Sequence, residues 1–321
     1  MVETIDGLYA YWLEKGSALE WTCLFVLPPW LDVWWRIFGK EWKPYPMAVR
    51  EGGNLIGIAP LMIQGERACI IGSPDVCDYV DFIFAPGRAK DVLRRILHHL
   101  KQQGISLLDL GPLRGDTSLL KDMTAVAETL GYEVTIHPED VILELELPAT
   151  WDGFLQSLNG KQRHEIRRKI RRLYEAGQIN TLVVEEAEQV KKKVDIFLAL
   201  FGSSRSDKAA FMDNQMASFF RSLAEAMAEA QILKLFFLDL NASPAAVAMC
   251  FDYASTMYLY NNGYDQRFGS LSVGLLSKVF SMKESIERGR KAYSFLKGGE
   301  TYKYLLGGTP VPVYRCKVML S

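Results

Sequence analysis

The sequence is poor in what metal and disulfide chemistry needs. It has four histidines. His98 and His99 are adjacent, so a helix would aim them in different directions, and His164-Glu165 lacks the second histidine of HExxH; no metal site is expected. The five cysteines, Cys23, Cys69, Cys77, Cys250 and Cys316, are odd in number, scattered and without CxxC spacing. They are expected as buried reduced thiols rather than a disulfide frame. No GKS or GKT, no GxGxxG, and no GxSxG around Ser203, Ser204 or Ser272 is present, which removes the P-loop, the dinucleotide fingerprint and the serine-hydrolase elbow.

Net charge is also lacking. Lys plus Arg is 37 against 38 for Asp plus Glu, so the molecule-wide field of a general nucleic-acid binder is absent and any anion site must be local. Met1 to Asp6 carries acids rather than a basic leader, so no secretory signal is expected and the protein is expected in the cytoplasm. The most apolar early stretch, Trp21 to Phe38, is interrupted by Pro28, Pro29, Asp32 and Arg36 and reads as a core-packing helix entry, not a membrane span.

What is present is enough material for two cores. The chain has 321 residues, 49% hydrophobic and 23% charged, a length at which single cores usually divide. Met47 to Leu61 reads as a hairpin turning at Gly52-Gly53-Asn54, and Leu233 to Tyr253 as a second turning at Asn241 to Pro244. Each is followed by a polar turn, a helix and a short apolar strand ending at glycine: Asp78 to Phe82, Ala89 to Gln103 and Ile105 to Gly111 first, then Asn261 to Asp265, Ser272 to Arg288 and Ala292 to Gly298. Gly57 to Gly111 spans 54 positions and Ala246 to Gly298 spans 52, so a duplicated unit is expected. Hairpins mixed with helices point to an α+β fold of mixed sheets flanked by helices. The expected domains are 1–147 and 148–321, divided where Pro148 ends a strand and Thr150 offers a helix cap.

Gly263-Tyr-Asp-Gln-Arg-Phe-Gly-Ser-Leu-Ser-Val-Gly274 lies between a β-rich run and an amphipathic helix. Glycines, small hydroxyl residues and the free amides of a helix start suit phosphate oxygens; a glycine-rich turn capped at Ser272 accounts for the pattern equally well. A basic helix is the second feature: Lys161, Arg163, Arg167, Arg168, Lys169, Arg171 and Arg172 stand against Glu165, with Ile166, Ile170 and Leu173 on the buried face. A charge run is usually a solvated face. Here the mutual repulsion of seven cations is more easily explained by an anion opposite them, a phosphate or an anionic membrane surface. Aromatic residues do not interleave the helix before Tyr174, so nucleic acid is the less expected anion.

These segments, in order, resemble the CelD/BcsL family of GNAT-like acetyltransferases, related in architecture to the FemABX aminoacyl transferases. The resemblance runs through Pro29-Trp30-Leu31 with Trp35 and Phe38, Gly57 to Leu61, Asp78 to Phe82, Leu158 to Lys169, Tyr264-Asp265, Ser272-Val273-Gly274 and Gly298 to Lys303. It departs where the family commonly has Asp-Phe and this chain has Ser294-Phe295, and where Val273 replaces a proline. The resemblance implies two tandem GNAT-like domains, with acyl-CoA diphosphate on Gln266, Arg267, Gly269, Ser270, Ser272 and Gly274. It implies a thioester between splayed strands, where a backbone amide meets the developing oxyanion and an amine or hydroxyl attacks directly. Glu300 is then the candidate base, Tyr302 the candidate acid for the thiolate, Lys303 a candidate acceptor-binding cation and Asp265 a fallback base. Lys161, Arg163, Arg167, Asp78 and Tyr79 are candidate acceptor contacts. The expected reaction is acyl transfer to a sugar, polysaccharide precursor or related anionic metabolite, in the cytoplasm or peripheral to the inner membrane. The alternatives are aminoacyl transfer from tRNA and a degenerate binding scaffold.

Overall fold

A computed structural model describes residues 1–14 and 17–320. The chain divides into two compact units, Met1–Val141 with Val311–Ser321, and Ile142–Pro310. The boundary falls inside the strand Glu133–Glu146, which begins in one unit and ends in the other, and Val311–Ser321 returns to the first.

In the first unit, α1 (Ile5–Leu13) and α2 (Pro28–Phe38) precede β1 (Lys43–Glu51), β2 (Asn54–Gln64), β3 (Arg67–Ile70) and β4 (Ile83–Phe84). Then come α3 (Ala89–Gln102), β5 (Leu107–Arg114), α4 (Ser118–Thr129) and the start of β6 (Glu133–Glu146). Pro28 and Pro29 occupy the first turn of α2, where a missing amide costs nothing, and Trp30, Leu31 and Val33 are fully buried. The β1–β2 hairpin turns through Gly52 and Gly53, both at positive φ, as the glycine pair required. β3 and β5 are parallel over three residue pairs, and the terminal segment Val313–Met319 lies antiparallel to β5. All five cysteines are buried free thiols.

The second unit continues with the end of β6, α5 (Trp151–Ser157), α6 (Gly160–Glu175), β7 (Ile179–Val184), α7 (Ala187–Ser204), α8 (Ser206–Phe211) and α9 (Asn214–Glu229). It closes with β8 (Leu233–Leu240), β9 (Ser243–Tyr253), β10 (Thr256–Tyr264), α10 (Val273–Glu287), β11 (Ala292–Lys297) and α11 (Thr301–Leu305). The strand order is β6-β11-β10-β9-β8-β7. Thr150 caps α5 by accepting the Gly153 amide at 3.1 Å. The basic segment forms α6 under a capping box between Asn159 and Gln162, with Ile166 and Leu173 buried.

Helices cover both faces of this sheet. A Cβ on Gly263 would meet the Phe201 nitrogen of α7 at 2.3 Å, whereas the neighbouring Asn262 side chain donates to the Gly274 carbonyl of α10 at 3.2 Å. Consecutive strand residues face opposite ways, so α7 and α10 lie on opposite faces. Hairpin, helix and parallel return strand thus recur in both units, and the fold is mixed α/β, a mixed sheet flanked by helices. Among the described residues no helix is long and apolar enough to cross a membrane.

Candidate functional site

The site begins with two strands that part. β10 and β11 are parallel and paired only at Thr256–Ala292, Met257–Tyr293 and Tyr258–Ser294. Beyond that point β10 is bulged between Leu259 and Asn261, and β11 is bulged between Ser294 and Leu296. Leu296 takes a left-handed φ of 57°, which turns β11 away at a cost of roughly 1 kcal/mol for a non-glycine residue. The buried Ser294 hydroxyl supports the bulge by accepting the Leu296 amide at 3.3 Å.

At the end of β10 a 3-10 turn, Gln266–Leu271, leads into α10. Ser272 is left-handed and its hydroxyl does not cap the helix. Instead it accepts the Lys169 ammonium of α6 at 2.8 Å. Among the described residues the amides of Val273 and Gly274 find no acceptor. The positive end of a helix, unsatisfied amides and a lysine meet here, an arrangement suited to an anion. A cleft of about 410 Å³ adjoins it, lined among others by Lys161, Lys169, Leu275, Tyr302, Leu305 and Leu306.

The expected diphosphate residues do not all face this point. Gln266 donates to the Ser203 carbonyl at the end of α7 at 2.9 Å. Asp265 caps the 3-10 turn through the Arg267 amide, and its carboxylate pairs with the Arg267 guanidinium at 2.6 Å. That bond holds the Asp265 carboxyl below its usual range. Gly274 is required by packing, because a Cβ there would meet the Tyr264 ring at 2.6 Å. Gly269 and Ser270 stand exposed on the turn.

Of the acceptor candidates, Lys161 lines the cleft and Arg167 is exposed on α6. Arg163 turns back to the Leu155 and Leu158 carbonyls, both at 3.4 Å. Asp78 and Tyr79 belong to the first unit, where Tyr79 is buried against Phe25 and under the Arg114 guanidinium.

The Glu300 to Lys303 group is reorganised relative to the sequence reading. The Lys303 ammonium is buried, donates to the carbonyls of Leu296, Lys297 and Gly298, and pairs with Glu300 at 2.8 Å. With every N–H engaged, it has none for an acceptor; it clamps the exit of β11. Burial pushes the Glu300 carboxyl upward, but the Lys303 bond and charge outweigh it, so Glu300 lies below its ordinary range and is ionised at neutral pH. Burial raises the Tyr302 phenol, helped by the Glu300 charge, so Tyr302 stays protonated.

Two residues carry no sequence signal. Lys278 of α10 lies over the Tyr302 ring at 4.2 Å. Burial, then the charge of Lys208, lowers it to about 7. Lys208 of α8 donates to the Asn262 carbonyl, beyond the last β10–β11 pair, and lies over the Phe201 ring at 4.5 Å. Burial and Arg205 lower it to about 8.

Residues 160–304 match the family model described as an acetyltransferase (GNAT) domain. No curated protein sequence matches the chain significantly. Among solved structures it is similar to FemX, with 13% identity, a TM-score of 0.66, and coverage of 98% of this chain and 96% of that one. It is also similar to a conserved protein of unknown function from Bacteroides thetaiotaomicron, at 12% identity, TM-score 0.64 and coverage of 99% and 100%. A third is the C-terminal domain of a provisionally named lysylphosphatidylglycerol synthetase from Agrobacterium fabrum, at 11% identity, TM-score 0.61 and coverage of 98% and 90%. At these identities what is shared is the fold.

Proposed function

From the acetyltransferase (GNAT) domain at residues 160–304, we propose that the protein transfers an acyl group from acyl-CoA to an amine or hydroxyl of a sugar, polysaccharide precursor or related anionic metabolite. The observation that carries this reading is the parting of β10 from β11 beside a helix start with unsatisfied amides and Lys169. The CoA diphosphate would sit on the Val273 and Gly274 amides with Lys169 and Ser272, and the pantetheine arm would follow the cleft past Leu275, Leu305 and Leu306. The thioester carbonyl then reaches the parted strands, where a strand amide freed by the bulges meets the developing oxyanion.

The acceptor attacks directly. Its proton passes to Glu300, which is ionised, and the departing thiolate takes a proton from Tyr302. Holding both reactants in one cleft supplies the orientation that a direct attack needs. No covalent enzyme intermediate is involved.

Calorimetric titration with acetyl-CoA tests the reading; absence of binding would remove it. Binding without turnover across amine and hydroxyl acceptors would favour a scaffold role. A second reading, aminoacyl transfer from tRNA, is favoured by the likeness to FemX over 98% of the chain and by the exposed cations Lys161, Arg167, Arg171 and Arg172 of α6. It requires transfer from aminoacyl-tRNA under conditions where acetyl-CoA gives none.

A further inference from the structure

In the first unit β3 and β4 pair along β2 as β10 pairs along β9 in the second, and each set leads into a helix and a parallel return strand. The turn between β4 and α3 therefore holds the place that the glycine-rich turn holds before α10. The charge beside it is reversed. The second unit sets the Lys169 ammonium at its turn. In the first, the turn borders a cavity of about 590 Å³ lined by Glu20, Asp81, Asp116 and Asp122, with Phe82 and Phe84. Lys90 is the one cation of that lining. Two of the acids are engaged: Asp116 pairs with Arg114 at 2.9 Å, and Asp122 lies 3.8 Å from Lys90. Asp81 differs. It is on no helix, its Oδ1 accepts the Phe82 amide at 2.8 Å, and among the described residues its Oδ2 has no hydrogen-bond partner. The residue is only partly exposed, and burial, the largest effect on it, pushes its carboxyl up to about 7. A carboxylate enclosed without a counter-charge is costly to keep.

We propose that this cavity is a second binding site, for the primary ammonium group of a small organic amine, held by Asp81. The site lies wholly in the first unit, so it does not rest on the transferase reading. An ammonium gives the Asp81 Oδ2 a charged hydrogen bond, and aromatic rings such as those of Phe82 and Phe84 in the lining attract cations. The same carboxylates repel a diphosphate. Among the described residues no three metal-ligating side chains gather at one point, which favours an organic cation over a metal ion.

The test is thermal unfolding of the full chain at pH 7 in methylammonium chloride against sodium chloride at matched ionic strength, and in glucosamine hydrochloride against glucose with equimolar sodium chloride. A cation that binds only the folded chain raises the midpoint, and methylammonium is expected to do so. Glucosamine acting at a lower concentration assigns the ligand to the amino sugars; equal or weaker action assigns it to simple amines. D81N should weaken the apparent affinity by at least about tenfold, the loss of one charged hydrogen bond, while its amide oxygen can still accept the Phe82 amide. K90Q removes the cation of the lining and should strengthen binding. E128Q, on the exposed side of α4, should leave it unchanged. Each variant is compared with itself in sodium chloride, so a change in stability does not obscure the result. No shift with methylammonium, an equal shift in D81N, or weaker binding in K90Q overturns the site. A shift with magnesium chloride that methylammonium does not reproduce overturns it in favour of a metal ion.

Discussion

The Lys169 ammonium and the Ser272 hydroxyl are 2.8 Å apart although 103 residues separate them. The contact joins the basic helix to the glycine-rich turn, two features that are unrelated in sequence. It also explains why Ser272 does not cap its own helix, leaving the amides of α10 for another acceptor. K169A should weaken acyl-CoA binding by about tenfold to a hundredfold, the range of one charged hydrogen bond. Calorimetry on K169A checks this, and unchanged affinity would place the diphosphate elsewhere. S272A, which removes a neutral group, should have the smaller effect.

The parted strands predict a local cost at Gly263. A methyl group there would meet the Phe201 nitrogen at 2.3 Å and the Leu200 carbonyl carbon at 2.4 Å. Both are backbone atoms, so α7 must move. G263A should lose about 1 to 3 kcal/mol of stability by overpacking, read from urea midpoints. A loss below about 0.5 kcal/mol would mean that α7 shifts freely, as at an ordinary surface position.

Stability should also rise with pH just above neutrality. Lys278 and Lys208 titrate at about 7 and about 8 in the folded chain, against 10.5 when unfolded. Between these values the unfolded chain holds more protons, so raising the pH favours the folded state. The slope is at most about 1.4 kcal/mol per pH unit for each lysine, and less because both retain solvent contact. The window closes near pH 9, where buried thiols such as Cys250 and Cys316, raised by burial, begin to act in the opposite sense. Urea unfolding at pH 7, 8 and 9 should show the rise, and K278M should flatten it. An equal slope in K278M would exclude Lys278 as its source.

What the sequence made legible is what local chemistry controls. Gly52-Gly53 and Asn241-Ala242 turn hairpins through positive φ, Thr150 and Asn159 cap helices, and the apolar stripe of α6 identifies its buried face. Non-local pairing was not legible: nothing in Val313 to Met319 announces that it lies beside β5 of the first unit. Lys208 and Lys278 sit in unremarkable helical segments, and only the fold brings the one to the Asn262 carbonyl and the other over the Tyr302 ring. The β11 bulge is hidden for another reason, since Leu296 rather than glycine occupies the left-handed position.

Ser294 shows how a departure from the family pattern can be structural. Its hydroxyl accepts the Leu296 amide inside the core. S294A leaves that amide unpaired and should cost about 1 to 3 kcal/mol. If the bulge sets the opening between the strands, affinity for acyl-CoA should fall along with stability. Urea unfolding and CoA titration on the same preparation separate the two effects, and a fully stable S294A would show that the hydroxyl is dispensable to the bulge.

Lys303 separates an acceptor-binding cation from a structural clamp. Its buried ammonium holds the carbonyls of Leu296, Lys297 and Gly298, and Gly298, at φ 103°, turns the chain to present them. K303M leaves these carbonyls without their donor and should cost about 2 to 4 kcal/mol. E300Q should cost under about 1 kcal/mol, because the Glu300 side chain is 55% exposed and its pairing is screened. The two substitutions therefore divide: K303M lowers the unfolding midpoint, whereas E300Q lowers kcat with the fold retained. A raised acceptor KM in K303M at unchanged stability would return Lys303 to the acceptor, because a clamp cannot be removed without loosening β11.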